Sequence, residues 1–301
     1  MDKSKYGIEN FNLFNICSIN AKKRNKLFII FVVSLFLPLI NSNSEDKMDL
    51  MSVKELTAFA NKLKKDYEKK TGKTRHLGDN EIPEFIFPKG KILYEDNFTN
   101  FNNWHHEGIG KLVQNETGIM QLDCIGSKQG AEGCNVFCRK DFPDNICIEY
   151  DMKALSKKGL LITFIAAKGR KGEDIISELP ARKGIFADYI HNENMRSYHV
   201  SISRYDDNGK HTNTSNWRRN PGLLMMAQQE DLCKEIEKWY HIAIVKKGKL
   251  LQMSVNNKTS GGFIDKDEIP EPIPSDGKVG FRIIGADVVV QIKNFKVTAL
   301  E

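Results

Sequence analysis

From Lys91 onward the sequence consists of short runs in which apolar and polar residues alternate, separated by turn-forming Gly, Asn and Asp. Successive side chains of a strand point to opposite faces of a sheet, so this alternation is typical of half-buried strands. The predicted strands are residues 92–95, 104–107, 111–114, 119–123, 135–139, 146–153, 160–167, 184–190, 197–204, 223–228, 239–246, 250–255, 280–284 and 288–297. Their number and spacing predict an all-β fold, an antiparallel β-sandwich.

A different period precedes the strands. Residues 48–72 place apolar side chains three and four positions apart, which predicts one amphipathic helix ending at Gly72. Pro83 and Pro88 then mark an extended entry into the main domain. We therefore assign residues 45–82 to a helix and linker and residues 83–301 to the sandwich domain. One further helical turn is predicted at residues 229–238.

Residues 22–44 have the pattern of a secretory signal. Four basic residues precede a mainly apolar run from Leu27 to Ile40, and small polar residues follow it. The run of fourteen residues is shorter than the roughly 20 needed to span a bilayer. We expect residues 1–44 to be a signal peptide, with export to the periplasm or the medium and no stable membrane insertion after cleavage. An uncleaved anchor is the alternative.

Charge and motif spacing restrict the partners. The net charge of +6 is modest and its basic clusters are few, which argues against a nucleic-acid partner and is compatible with an acidic saccharide. No Cys or His spacing matches a zinc site. The glycine spacing at residues 169–174 misses the phosphate-binding loop. The sequence thus predicts no cofactor and no catalytic metal, and Asp174 is a candidate ligand for sugar hydroxyls or a structural cation.

The densest group of polar and aromatic residues lies between Tyr189 and Gln229. Alternation in the predicted strand at 197–204 puts His199, Ser201 and Ser203 on one face, and Tyr198, Val200, Ile202 and Arg204 on the other. A basic segment with Asn216, Trp217, Arg218 and Arg219 follows. The stretch predicts one side of a polar groove, and the alternative is a solvated outer face.

The closing segments resemble the end of concanavalin A-like jelly rolls; they read WYHIAIVKKGKLLQMSVNN, GKVGFRIIG and VQIKNFKV. Over residues 91–300 the chain also resembles a YesU-like family of domains of unknown function found among bacterial polysaccharide-utilisation genes. The segments that carry this likeness are EDNFTNFNNWHHEG, FPDNICIEYDM, GLLITFIAAKGRKGEDI, YHVSISR and NWRRNPGLLMMAQQ. The chain departs from the family pattern at Trp217, where the family has Leu, and by one extra residue between Tyr189 and His199.

Some members of this family from ulvan-degrading systems of marine bacteria are similar to oligosaccharide dehydratases. The resemblance therefore implies a jelly-roll protein that acts on acidic glycans in polysaccharide degradation. It does not separate a dehydratase, which expels water, from a polysaccharide lyase, which expels a sugar.

The residues present suit β-elimination from a uronic acid. That reaction needs a base, an acid for the leaving oxygen, and groups that neutralise the sugar carboxylate. The candidates for base and acid are His199, Tyr198, Tyr189 and His191. The candidates for substrate binding are Arg204, Asn216 and Arg218 around the carboxylate, Trp217 as a stacking ring, and His105 and Glu107 from a second cluster.

Two other functions remain open. A non-catalytic carbohydrate-binding module would use the same groove without turnover. A glycoside hydrolase would need two carboxylates across the scissile bond, and Glu107, Glu149 and Asp174 are the candidates. Glu149 and Asp151 match the start of the usual jelly-roll signature, but Lys153 and Ala154 stand where its last carboxylate belongs.

Overall fold

The computed structural model describes residues 50–79, 81–114, 116–127 and 133–301. The predicted signal peptide, residues 1–44, lies outside these ranges. The described part of the chain belongs to one compact unit. No helix within it is both long enough and apolar enough to cross a membrane.

The predicted N-terminal helix is confirmed. Helix α1 spans Val53–Thr71 and begins with a capping box, in which Ser52 and Glu55 each bond the backbone N–H of the other. It ends at Gly72, whose φ of 68° is left-handed and suits a residue without a Cβ atom. The helix packs onto the sandwich because one stripe of its side chains enters the core. The buried members of that stripe are Val53, Leu56 and Ala60.

Sixteen strands follow the helix. They are β1 Gly78–Asp79, β2 Ile92–Asp96, β3 Trp104–Gly108, β4 Lys111–Val113, β5 Met120–Asp123, β6 Gly133–Phe142, β7 Ile146–Ala154, β8 Gly159–Gly169, β9 Met195–Tyr205, β10 Thr214–Asn220, β11 Leu224–Glu230, β12 Tyr240–Lys247, β13 Leu250–Val255, β14 Lys258–Asp265, β15 Gly277–Ile284 and β16 Val289–Ala299.

All predicted strands except one coincide with these. The strand predicted at 184–190 is wrong, since helix α2, Ala187–Ile190, stands there. Phe186, Tyr189 and Ile190 have the spacing i, i+3, i+4, so one helical turn brings all three against the sheet. The helical turn predicted at 229–238 is also wrong, because β11 runs to Glu230 and an irregular segment follows. Strands β10 and β14 were not predicted; β10 is polar, and β14 contains two glycines.

The strands form two antiparallel sheets, which confirms the predicted sandwich. A nine-stranded sheet has the order β1-β14-β13-β12-β7-β16-β5-β4, with β2 also paired to β16. A seven-stranded sheet has the order β11-β10-β9-β8-β15-β6-β3. Large apolar side chains from both sheets, such as Tyr150, Trp217 and Phe281, fill the space between them.

A second apolar layer covers part of the outer face of the seven-stranded sheet. The chain between β8 and β9 returns across this face, and its Ile175 and Tyr189 pack on Phe137 and Phe164 of the sheet. Aromatic rings in this layer lie 5.5–6.1 Å apart between centroids. The remaining part of the face, above β8, β9 and β10, stays open and forms a pocket.

Candidate functional site

The pocket on the seven-stranded sheet has a volume of about 360 Å³. One wall is apolar and the other is polar and basic. The apolar lining residues are Leu160, Ile162, Phe186, Leu223 and Ile284, and the polar ones are His199, Ser201, Arg204, Asn216 and Arg218. A basic wall facing an apolar wall suits an anionic ligand with a carbon framework.

The register between β9 and β10 assembles most of the polar wall. Ser201 lies opposite Asn216, and His199 lies opposite Arg218. Alternate residues of paired strands share one face, so these four side chains all point away from the core. Four of the ten predicted site residues, namely His199, Arg204, Asn216 and Arg218, therefore line one pocket.

Arg204 reaches this pocket in a way that simple alternation does not predict. The sequence pattern puts Arg204 on the core face with Tyr198. Ser203, however, has a φ of 51°, and the pairing of β8 with β9 shifts between Gly159 and Leu161. This bulge reverses the alternation, so the Arg204 side chain emerges beside His199. Its Nη1 atom donates to the backbone oxygen of Thr214 at 2.9 Å.

The charges of the two arginines in the pocket are incompletely compensated. Burial lowers the pKa of Arg204, and the Asp231 carboxylate, which accepts from the Arg204 backbone N–H at 3.1 Å, opposes this shift. Among the described residues, no carboxylate forms an ion pair with Arg204 or Arg218. The Arg218 guanidinium donates to the backbone oxygen of Leu223 at 2.8 Å. Burial and the neighbouring Arg204 charge lower the pKa of Arg218. With its amide oxygen turned toward Arg204, Asn216 accepts hydrogen bonds from Nη1 and Nη2 of that guanidinium at 3.2 and 3.3 Å. Two half-buried cations in one pocket favour a bound anion between them.

His199 is neutral in this setting. Burial, followed by the charges of Arg218 and Arg282, lowers the pKa of His199 to about 3. The Nδ1 atom of His199 lies 2.9 Å from the amide nitrogen of Asn220. Which of the two atoms donates depends on the tautomer of the ring and on the orientation of the amide, whose oxygen has no other partner among the described residues. The histidine therefore enters the pocket uncharged, between a fixed amide and two cations.

Tyr198 and Trp217 lie on the other side of the sheet, away from the pocket. Both are fully buried between the sheets, so Trp217 offers no exposed ring to a sugar. The Tyr198 hydroxyl donates to Asp265 at 2.5 Å, and Arg219 pairs with the same carboxylate oxygen at 3.0 Å. Arg219, which lies on the opposite face of β10 from Arg218, is buried because Asp265 compensates its charge.

Glu107, Tyr189 and His105 form a separate cluster on the same outer face. The Tyr189 hydroxyl donates to Glu107 at 2.8 Å, and Arg182 holds both oxygens of that carboxylate. Nε2 of His105 lies 3.4 Å from Glu107. Burial and the Glu107 charge raise the pKa of Tyr189 far above its ordinary value. His191 is exposed at the end of α2 and does not line the pocket.

The other carboxylates considered for hydrolysis are engaged elsewhere. Glu149 and Asp151 line a larger cavity of about 660 Å³ on the outer face of the nine-stranded sheet. Asp151 lies 2.9 Å from His241, and Glu149 lies 3.0 Å from Lys296. Asp174 pairs with Lys278 at 2.7 Å, and Lys278 is buried. Within the described ranges, no three His, Cys, Asp or Glu side chains converge as a metal site.

The sequence analysis missed Asn220 and Arg282. Asn220 follows Asn216 and Arg218 at two-residue steps on β10, so alternation alone places it on their face. Arg282 lies on β15 between two residues of the core, Phe281 and Ile283. Its Nη1 atom donates to Asn135 at 2.7 Å and to the backbone oxygen of Gly184 at 2.8 Å. The apolar residues that form the other wall of the pocket have no polar pattern in the sequence that could have identified them as site residues.

Comparisons with known proteins agree with this architecture. The family model described as Domain of unknown function (DUF1961) matches residues 91–297, which contain the whole pocket. "Uncharacterized protein YesU" of Bacillus subtilis (strain 168) is 24% identical over 206 residues, which are 65% of this chain and 91% of that protein.

Two solved structures from Bacillus subtilis are similar in fold. A protein of unknown function with a galectin-like fold has a TM-score of 0.64 at 23% identity, over 71% of this chain and 100% of that chain. The carbohydrate-binding module CBM66 has a TM-score of 0.43 at 12% identity, over 66% of this chain and 98% of that chain. The YesU-like resemblance predicted from the sequence is confirmed, and the chain belongs to the DUF1961 family of domains of unknown function.

Proposed function

We propose that this protein is a carbon–oxygen lyase that acts by β-elimination on a uronic-acid-containing oligosaccharide or polysaccharide. The observation that carries the proposal is a neutral histidine, His199, in one pocket with two guanidinium groups that form no ion pair among the described residues. The leaving group decides between a dehydratase, which releases water, and a polysaccharide lyase, which releases a sugar. The predicted signal peptide supports an exported protein that meets its glycan in the periplasm or outside the cell.

The first task of the site is to hold the sugar carboxylate. The Arg204 and Arg218 side chains supply planar donors that match a carboxylate, and the Asn216 amide lies next to them. Neutralising the carboxylate makes the proton on C5 more acidic, because negative charge develops on the carboxylate as that proton leaves. The apolar wall formed by Leu160, Ile162 and Phe186 would exclude water from the sugar ring.

The second task is proton transfer, and His199 is the residue of the pocket suited to it. In the proposed step the Asn220 amide presents its oxygen to the Nδ1–H of His199, so the unprotonated Nε2 accepts the C5 proton, the C5–H electron pair forms the C4=C5 double bond, and the C4–O bond breaks. The leaving oxygen takes its electron pair and then the proton from the imidazolium. Because both Tyr189 and Tyr198 bond carboxylates outside the pocket, we assign both transfers to His199.

The low pKa of His199 applies to the pocket when no ligand is bound. A bound carboxylate would offset the charge of Arg218, one of the causes of the depression. Substrate binding would therefore raise the basicity of His199 at the moment when the base is needed. The ring would need its free nitrogen directed at C5, and the Asn220 amide is the group that fixes its tautomer.

A non-catalytic carbohydrate-binding module is the second candidate. It is favoured by one observation: the pocket contains no tyrosine or carboxylic acid that could assist the leaving group. A glycoside hydrolase has less support, since Glu107, Glu149 and Asp174 each form an ion pair with a basic side chain.

The test combines product detection with binding. The protein is incubated with acidic polysaccharides and their oligosaccharides while the ultraviolet absorbance of the C4=C5 double bond is followed. His199→Gln should lower turnover by about 10²–10⁴-fold and leave affinity measured by calorimetry within about threefold. His241→Gln, which changes a histidine on the other sheet, is the matched control and should retain turnover. Mass spectrometry then distinguishes loss of water from chain cleavage.

Three outcomes would contradict the lyase. Binding without unsaturated product across the panel would favour the binding module. New reducing ends without unsaturation would indicate a hydrolase. Full turnover in His199→Gln would remove this residue from the mechanism.

A further inference from the structure

Helix α1 lies over the turn that joins β10 to β11, next to the basic wall of the pocket. The Thr57 hydroxyl lies 3.2 Å from the position that a Cβ atom on Gly222 would occupy. Beyond the helix, the backbone N–H of Leu77 donates to the oxygen of Met225 at 3.0 Å. Met225 is the β11 partner of Arg218. The N-terminal segment therefore touches the pocket rim at two points.

This contact brings two more basic side chains toward Arg218. Lys64 lies four and eight residues after Ala60 and Leu56, the buried residues of α1, so it continues the helix face that meets the sandwich. His76 directly precedes Leu77. Both side chains are half-buried. Neither forms an ion pair with a carboxylate among the described residues.

The charges of these residues also act on one another, as the contacts of α1 and Leu77 with the β10–β11 turn lead one to expect. Burial and then the Arg218 charge lower the pKa of Lys64. Burial, then Lys64, then Arg218 lower the pKa of His76. Burial and then the Arg204 charge lower the pKa of Arg218. The basic groups thus extend from the pocket toward the helix, and a bound anion would relieve their mutual repulsion.

We propose that Lys64 and His76, together with Arg218, form a second anion-binding position beside the pocket. This inference rests on the proposed function. Together with the pocket, the second position predicts that the substrate is a glycan with two negative groups. One is the carboxylate at Arg204, and the other is a carboxylate or a sulfate ester on the neighbouring sugar. Both Lys64 and His76 precede residues 91–297, so this position is an addition to the family domain.

The test uses small anions and needs no turnover. The pKa of His76 in the purified protein is measured by NMR in sodium sulfate, sodium acetate and sodium chloride of equal ionic strength. The His76 signal is assigned with a His76→Gln variant. We expect sulfate or acetate to raise the pKa of His76 relative to chloride. Lys64→Gln should weaken this response at least about fivefold in apparent affinity. Lys65→Gln changes an exposed neighbour on the same helix and should leave it unaltered.

The outcomes separate the anion site from the lyase. A response to sulfate alone supports a sulfate ester as the second group, and a response to acetate supports a carboxylate. The same His76 pKa in all three salts, or an equal response in the Lys64→Gln variant, would overturn the second anion position. No catalysis is measured in this experiment, so a negative result would not contradict the lyase assignment. Conversely, failure to detect elimination would not change the result of the anion titration.

Discussion

The side-chain nitrogen of Asn220 lies 2.9 Å from both Nδ1 of His199 and the hydroxyl oxygen of Ser197. One buried amide therefore fixes the ring of the proposed base. The oxygen of the same amide has no partner among the described residues. Since Asn220 contacts the histidine and does not line the pocket, it is a positioning residue.

Asn220→Ala should lower kcat by about 10–100-fold while KM stays within about twofold, by analogy with the outer partners of metal-bound histidines. The reason is that His199 loses the group that sets its orientation and tautomer. Steady-state kinetics over a range of pH would measure the change. A lower kcat accompanied by a higher KM and a lower thermal stability would show that the amide has a structural role alone.

Arg218→Met should abolish binding of uronate-containing ligands and yet stabilise the fold. Arg218 is half-buried, interacts unfavourably with the Arg204 charge and forms no ion pair among the described residues, so its charge serves a ligand better than it serves folding. We expect a gain of about 0.5–2 kcal/mol in the free energy of unfolding, the size of many stabilising substitutions. Urea denaturation and calorimetry measure the two effects. A destabilised variant would show that the guanidinium is satisfied without ligand.

His199 makes the protein less stable in acid. The pKa of His199 is about 3 in the folded protein and about 6.5 in an unfolded chain, so the unfolded state binds the extra proton between these values. Stability is therefore full above about pH 6.5 and falls as the pH decreases toward 3. From about pH 7.5 to pH 5 the wild type should lose about 2 kcal/mol more than His199→Gln. Equal losses in denaturation experiments would show that His199 is not held neutral.

Tyr198→Phe should cost stability but not turnover. The mutation removes the hydroxyl that donates to Asp265 in the core and leaves the Arg219–Asp265 pair in place. Loss of a hydrogen bond to a charged group predicts a destabilisation of about 1.5–3 kcal/mol. Thermal unfolding and the elimination assay check this. A variant that folds well and loses turnover would return Tyr198 to the list of candidate acids.

Much of the fold follows from local pattern, and the site follows only in part. Alternation placed His199 on the outer face that carries the pocket, whereas Asn216 and Arg218 were identified as a polar, basic segment on a strand that was not predicted. The same rule put Arg204 on the wrong face, since it has no means of detecting the bulge at Ser203.

Long-range contacts explain the other differences. Trp217 and Arg219 are buried because the nine-stranded sheet supplies Phe263 and Asp265 to pack and pair with them. The proximity of Lys64 and His76 to Arg218 depends on where α1 docks. A one-dimensional pattern contains no information on that docking, however clearly it predicts the helix itself.

The two cavities of the sandwich lie on opposite outer faces and carry opposite charge. Four carboxylates, from Glu95, Asp96, Glu149 and Asp151, line the cavity on the nine-stranded sheet, whereas Arg204 and Arg218 line the pocket on the other. These two linings therefore place mainly negative charge on one outer face of the sandwich and positive charge on the other. A polyanionic chain that diffuses toward the domain is repelled from one side and drawn to the other, so the protein turns its basic face to the chain before they touch.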